Sequence, residues 1–235
     1  MCCLEFWRGL CCCCGGDSTA EEREPLIVPP ESARQPRPPR PNGSEQKHGE
    51  VRAQHVGVPD LDQRFADVAE MFNEQQKHYE TMEDKRNLLL HRYRCSPGDG
   101  LSECLKKIKD EHDTHLLRLQ IKGYDFSLAV TPEDAVPDKL MRTQESIIEL
   151  CQAAKAIVAT GTRLQEMINS LLREEETLTQ QVKAAATSHQ EQRRLEGNLL
   201  NNIQEARRAK ELSYHYRNEA GKLLNEAALL SGVNP

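Results

Sequence analysis

From Leu61 onward, seam positions recur at alternating spacings of four and three residues: Leu61, Phe65, Val68, Phe72, Gln75, Tyr79, Met82, Arg86, Leu89 and Tyr93. On a helix these fall on one stripe, the a/d seam of a coiled coil, with Gln75 and Arg86 as its polar members. Pro59-Asp60-x-x-Gln63 reads as the helix start, with the Asp60 carboxylate placed to accept the orphan amide at the third helical position. Ser96-Pro97-Gly98-Asp99-Gly100 is dense turn chemistry and ends the run. A second helix is expected from Leu101 to Lys122, with Leu101, Leu105, Ile108, Leu116 and Leu119 on one side and Gly123 as its stop. Residues 60–122 are therefore expected to form a helical hairpin. Residues 123–137 read as an irregular link. Its Tyr124, Phe126, Leu128 and Val130 either alternate as a brief extended segment or pack onto the hairpin.

The longest periodic stretch begins at Leu140. Ile147, Leu150, Ala154, Ile157, Gly161, Leu164, Ile168, Leu171, Leu178 and Val182 keep the same spacing, which continues through Ala185. It weakens at His189, Gln192 and Glu196 and returns at Leu199, Ile203, Ala206, Ala220, Leu224 and Ala227. No proline interrupts residues 138–234. An unbroken helix over 138–228 would be about 135 Å long at 1.5 Å per residue, too long to fold back on itself, so it would pair with other chains. The polar stretch near 189–198, ending at Gly197-Asn198, marks a possible hinge or reversal. The expected fold class is all-α: an elongated helical hairpin over 60–122, a linker at 123–137 and a long coiled-coil helix over 138–230. The seam expected to meet a partner comprises Leu61, Phe65, Val68, Phe72, Ile147, Leu150, Ile157, Leu164, Ile168, Leu171 and Leu178.

Composition fits this picture. The 235 residues are 37% hydrophobic, only 4% aromatic and 29% charged, a profile of long helices rather than of a large globular core. The net charge is -6, from 31 basic and 37 acidic side chains interspersed along the chain, so no basic face emerges and nucleic acid is not an expected partner. No run of 18 apolar residues occurs, so no segment is expected to span a bilayer.

Six of the nine cysteines lie in the first fourteen residues: Cys2, Cys3, Cys11, Cys12, Cys13 and Cys14, with Leu4, Phe6, Trp7 and Leu10 between them. Thiols this dense beside apolar neighbours suit S-acylation, and residues 1–16 are read as an acylated anchor. Each buried methylene of an acyl chain contributes about 0.8 kcal/mol, and two or more chains turn marginal membrane binding into stable anchoring. A disulfide framework needs spaced cysteines and an oxidising compartment, and no signal-peptide segment precedes these. A zinc site draws paired ligands from separated segments, which four consecutive cysteines do not provide. An inert or redox-sensitive tail is the remaining alternative. Position 2 is Cys rather than Gly, which excludes the usual myristoylation.

Residues 17–59 hold eight of the twelve prolines and few large apolar side chains, so this arm is expected to be disordered. Within it, Glu22-Arg23-Glu24-Pro25-Leu26-Ile27 resembles the acidic dileucine sorting signal read by clathrin adaptors. An extended peptide offers Leu26 and Ile27 to a pocket while the Glu22 carboxylate meets a basic patch. Arg34 to Pro41 contains two overlapping PxxP patterns, but the arginines miss the offset that SH3 domains need, which leaves a stiff linker. His112 and His115 lack further ligands at recognisable spacing, and Cys104 and Cys151 read as small buried residues, so no metal or cofactor is expected. No phosphate loop, nucleophile elbow or HExxH motif occurs, so no catalytic residue is assigned and no enzyme is expected.

The first thirty or so residues are similar in layout to the lipidated scaffold subunit of the lysosomal Ragulator complex, which also begins with an acylated terminus followed by acidic residues and a leucine-rich signal. The expectation is a lipid-anchored adaptor or scaffold on the cytosolic face of endosomal or lysosomal membranes, with Golgi or plasma membrane as other locations. Its partners would be the membrane, a clathrin adaptor, and other helical proteins or a second copy. The alternatives are a SNARE-like or tethering component of membrane fusion and a cytoskeletal or centrosomal coiled-coil protein.

Overall fold

A computed structural model describes residues 49–123, 125–133 and 136–232, and over these the protein is mostly helical. An extended strap, residues 49–58, leads into α1 (Pro59–Arg92), followed by α2 (Leu101–Glu111), strands β1 (Leu116–Lys122) and β2 (Asp125–Thr131), and then α3 (Asp138–Arg173), α4 (Glu175–Ala185) and α5 (His189–Ser231).

Pro59 occupies the first helical position of α1, where its missing N–H would have been an orphan in any case. Asp60 does not cap the helix: Val58 is the N-cap residue and no side chain bonds the first turn there. Asp62 instead turns outward to the strap and accepts the Val56 amide at 2.6 Å. The turn at 93–100 ends α1 as expected. α2 is held by a distant residue, since Glu226 of α5 accepts the Ser102 amide at 2.8 Å and places a carboxylate at the positive end of α2.

The second helix is shorter than the sequence suggested. α2 stops after 11 residues, and Leu116–Lys122 is a strand paired antiparallel with Asp125–Thr131. The reason lies in the two-residue period of Leu-Leu-Arg-Leu-Gln-Ile-Lys. Leu117 and Leu119 turn inward while Arg118 and Gln120 face solvent, and Leu116, expected on a helical face, is 57% exposed. Leu117 opposes Val130, Leu119 opposes Leu128 and Ile121 opposes Phe126, so the inner face is built of apolar cross-strand pairs. Gly123 does not stop a helix. With φ +64 it begins the two-residue connection between Lys122 and Asp125, where a left-handed conformation matches the strand twist. The alternation of Phe126, Leu128 and Val130 is thus a strand. It lies on α3, where the Cys151 thiol accepts the Phe126 amide at 3.2 Å and Gln144 donates to the Leu128 carbonyl at 2.9 Å.

The long helix is not continuous. It bends at Glu174, which ends α3 and begins α4, and breaks at 186–188. Ser188 caps α5 by accepting the Glu191 amide at 3.2 Å, and the Glu191 carboxylate returns to accept the Thr187 amide at 3.0 Å, a capping box shifted by one residue. The break precedes the suggested hinge, and Gly197 lies inside α5.

α5 therefore folds back along α3. Arg207 reaches Glu175 at 2.5 Å and Arg217 reaches Gln165 at 2.5 Å, the descending register of antiparallel helices. α1 also runs antiparallel to α3, linked by Arg64 to Glu174 at 3.0 Å near one end and by Arg92 to Thr143 at 3.1 Å near the other. α1 and α5 are parallel neighbours, joined by the stacked rings of Tyr79 and Tyr216 with centroids 4.1 Å apart. Three helical rods thus close around one seam. Leu61, Phe65, Val68 and Phe72 of α1, Ile147, Leu150, Ile157, Leu164, Ile168 and Leu171 of α3, and Leu178 of α4 are all buried within the single chain. The seam expected to meet a partner helix is thus covered within the chain, because the break at 186–188 lets α5 fold back over it.

Candidate functional site

The six amino-terminal cysteines and the Glu22, Leu26, Ile27 signal lie outside the described residues. The seam residues are brought together, but as the core of the bundle rather than as an open surface. His112 and His115 do not form a ligand pair. His112 is buried with Nε2 3.4 Å from the Tyr93 hydroxyl, which itself meets Thr143 Oγ1 at 2.8 Å. Burial pushes the His112 imidazole below its ordinary value, opposed by neighbouring Glu111. Among the described residues no group of three His, Cys, Asp or Glu side chains could hold a metal ion. Burial drives the Cys104 thiol up to about 12, with Cys95 adding to the shift, and burial also raises Cys151. Both are poor nucleophiles.

Residues 49–58, the end of the arm expected to be disordered, instead form an ordered strap on the bundle. This strap lies in the groove between α1 and α5, running back along α1. Gly49 sits beside Gln76 and Gly57 sits against Leu195. The lengths agree. The strap covers about 26 Å at 3.3 Å per residue, and α1 from Pro59 to Gln76 covers about 26 Å at 1.5 Å per residue.

Two asparagines hold the strap by its backbone. Asn73 of α1 accepts the Val51 amide at 2.9 Å and donates to the Val51 carbonyl at 2.9 Å. Asn202 of α5 does the same to Gln54, with both bonds at 2.7 Å. A carboxamide offers one acceptor and two donors side by side, so a single Asn satisfies both backbone groups of one extended residue. Asn198 donates to the His55 carbonyl at 2.7 Å and Arg208 to the Gly49 carbonyl at 3.0 Å. Between these clamps Val51 and Val56 sink to 5% and 0% exposure, each contributing about 1.5–3 kcal/mol. A small recess of about 10 Å³ lies where Val51, Arg52 and Ala53 of the strap meet Phe65, Val68, Asn202 and Ala206.

No family model, no curated protein and no solved structure matches this chain.

A second recess, of about 210 Å³, lies where α1, α2 and α5 meet, floored by Met82, Leu89, Leu90, Leu101, Cys104 and Leu223. Its rim carries charges that are already paired, including Glu219 with Lys222 at 2.8 Å. Within the bundle, Gln75 is fully buried and donates to the Ile157 carbonyl at 3.0 Å. Its Oε1 finds no partner among the described residues.

The sequence does contain signals for the strap. Val51 and Val56 are isolated aliphatics in a polar stretch that ends at Gly57, and Asn198, Asn201 and Asn202 cluster where the apolar α5 seam resumes. Each is too weak to be read alone, because the pairing spans 148 residues.

Proposed function

We propose that this protein is a non-enzymatic, lipid-anchored adaptor or scaffold on the cytosolic face of endosomal or lysosomal membranes. Acyl chains on Cys2, Cys3, Cys11, Cys12, Cys13 and Cys14 hold the terminus to the bilayer, and Leu26 with Ile27 selects the organelle through a clathrin adaptor. The single observation that carries the reading is the density of thiols among Leu4, Phe6, Trp7 and Leu10. Among the described residues no helix is long and apolar enough to cross a membrane. Coiled-coil pairing through the seam is not part of this reading, since α1 and α5 already cover it. Partners would meet the outer faces of the bundle or its grooves. The fusion alternative is weakened by Gln75, whose side chain is enclosed by the protein's own helices rather than presented as a polar layer to other chains.

The test is localisation of the tagged protein with and without Ser at the six cysteines, beside a Leu26→Ala, Ile27→Ala variant. The six-Ser chain is expected to be cytosolic, and the dileucine variant to remain on membranes but shift towards plasma membrane or Golgi. A six-Ser chain that stays fully on the same membrane contradicts the anchor.

A further inference from the structure

We propose that the groove between α1 and α5 is a docking site for an extended peptide of a partner protein, and that the strap is its tethered self-ligand. The occupant is defined by what the groove now holds: an extended backbone with small aliphatic side chains five residues apart, as at Val51 and Val56.

A connecting loop is ordinarily anchored by side-chain packing or by its own turns. Here the helices supply a backbone reader. Asn73 and Asn202 each answer both the N–H and the C=O of one strap residue, at Val51 and Gln54, on two different helices. Asn198 and Arg208 take two more carbonyls. These contacts depend on main-chain geometry rather than on side-chain identity, so they accept any extended segment, and the Val51 and Val56 sites add the selection. With the strap seated, Asn202 is buried and both of its carboxamide bonds go to Gln54.

The strap is also placed to leave. It is covalently joined to the bundle only at Val58, its other end continues into the arm, and the pairing of His55 with Asp62 at 2.8 Å is exposed on the His side. As a tethered ligand it faces the groove at an effective concentration in the millimolar range. A partner peptide therefore binds well only when the strap is released, and pull on the arm or competition by the partner would release it. The inference names the surface by which the proposed adaptor takes a partner and rests on that reading for the partner alone. Loss of anchoring in the cysteine variants and loss of peptide binding are separate readouts.

The probe is a fluorescent peptide with the sequence of residues 49–58, titrated into the full chain. The receiver is the Val51→Asp, Val56→Asp chain, whose strap cannot seat. Saturable binding to this variant is expected, with wild type at least tenfold weaker. Adding Asn202→Ala to the receiver, or placing Pro at the peptide position of Gln54 to remove its N–H, is expected to weaken binding at least tenfold. A helical receiver that does not bind the peptide, or binding to wild type or to the Asn202→Ala receiver that is as tight as to the receiver itself, overturns the proposal. Should the receiver lose its helical circular dichroism, hydrogen exchange on the wild-type chain decides. Exchange of the Val51, Gln54 and Val56 amides ahead of the helix cores supports a strap that opens by itself, and exchange only with global unfolding rules out a groove that can ever be free.

Discussion

Gln75 of α1 lies directly over Gly161 of α3, and its Nε2, donating to the Ile157 carbonyl at 3.0 Å, occupies the space that a Cβ on residue 161 would need. The same added carbon would lie 2.5 Å from Cδ of Arg217 on α5. Side chains of both α1 and α5 thus press onto the α3 backbone at Gly161. Gly197, by contrast, has nothing within 4 Å of such a Cβ.

These two glycines give a paired prediction. Gly197→Ala gains helix propensity with no clash and is expected to stabilise by about 1 kcal/mol. Gly161→Ala gains the same propensity but overpacks a buried crossing, at a cost of about 1–3 kcal/mol, and is expected to be destabilising on balance. Gln75→Leu removes a buried amide whose oxygen is unpartnered and is expected to lie within about 1 kcal/mol of wild type. Urea unfolding checks all three. A destabilising Gly197→Ala would mean that residue 197 needs glycine as a hinge.

Leu164 is 0% exposed in the centre of the seam. Leu164→Asp is expected to cost about 4 kcal/mol or more, because it buries an unpaired charge inside the fold. Loss of far-UV helical signal in the full chain is the predicted result. An Asp variant that keeps its helices and loses only a partner would show instead that the seam opens to another chain.

His112 sets a pH dependence. Burial depresses its pKa in the fold, so the unfolded chain takes up the proton first as pH falls. The stability is complete above the ordinary imidazole value and declines as pH drops below it towards the folded value. Glu174, lowered by Arg64 and Ser170, and Glu219, lowered by Lys222, lose their contributions only at more acidic pH. Between about pH 7 and 5.5, His112→Gln is therefore expected to flatten the decline in urea midpoint relative to wild type. Parallel slopes for the two proteins would remove His112 from the account.

The helical rods were legible because their seam repeats strictly: Leu61 through Phe72 and Ile147 through Leu171 are buried as the spacing implied. What closes them was not. The break at 186–188 is written in Ser188-x-x-Glu191, a capping box inside a run with no proline, which the seam period alone does not reveal. Leu116–Lys122 carries leucines compatible with both helical and two-residue periods, and only pairing with Asp125–Thr131 decides between them. The strap was hidden because its affinity comes from main-chain groups, which leave no trace in side-chain identity, and from asparagines far along the chain.

The anchor is the central claim, and acyl exchange tests it most directly. Membrane-derived protein is blocked at free thiols, treated with hydroxylamine to cleave thioesters, and labelled at the thiols released. The account predicts two or more labels per chain, all within Cys2, Cys3 and Cys11 to Cys14, and none at Cys104 or Cys151, which are buried in the bundle. A membrane-bound chain whose first fourteen residues carry no hydroxylamine-sensitive label would contradict it.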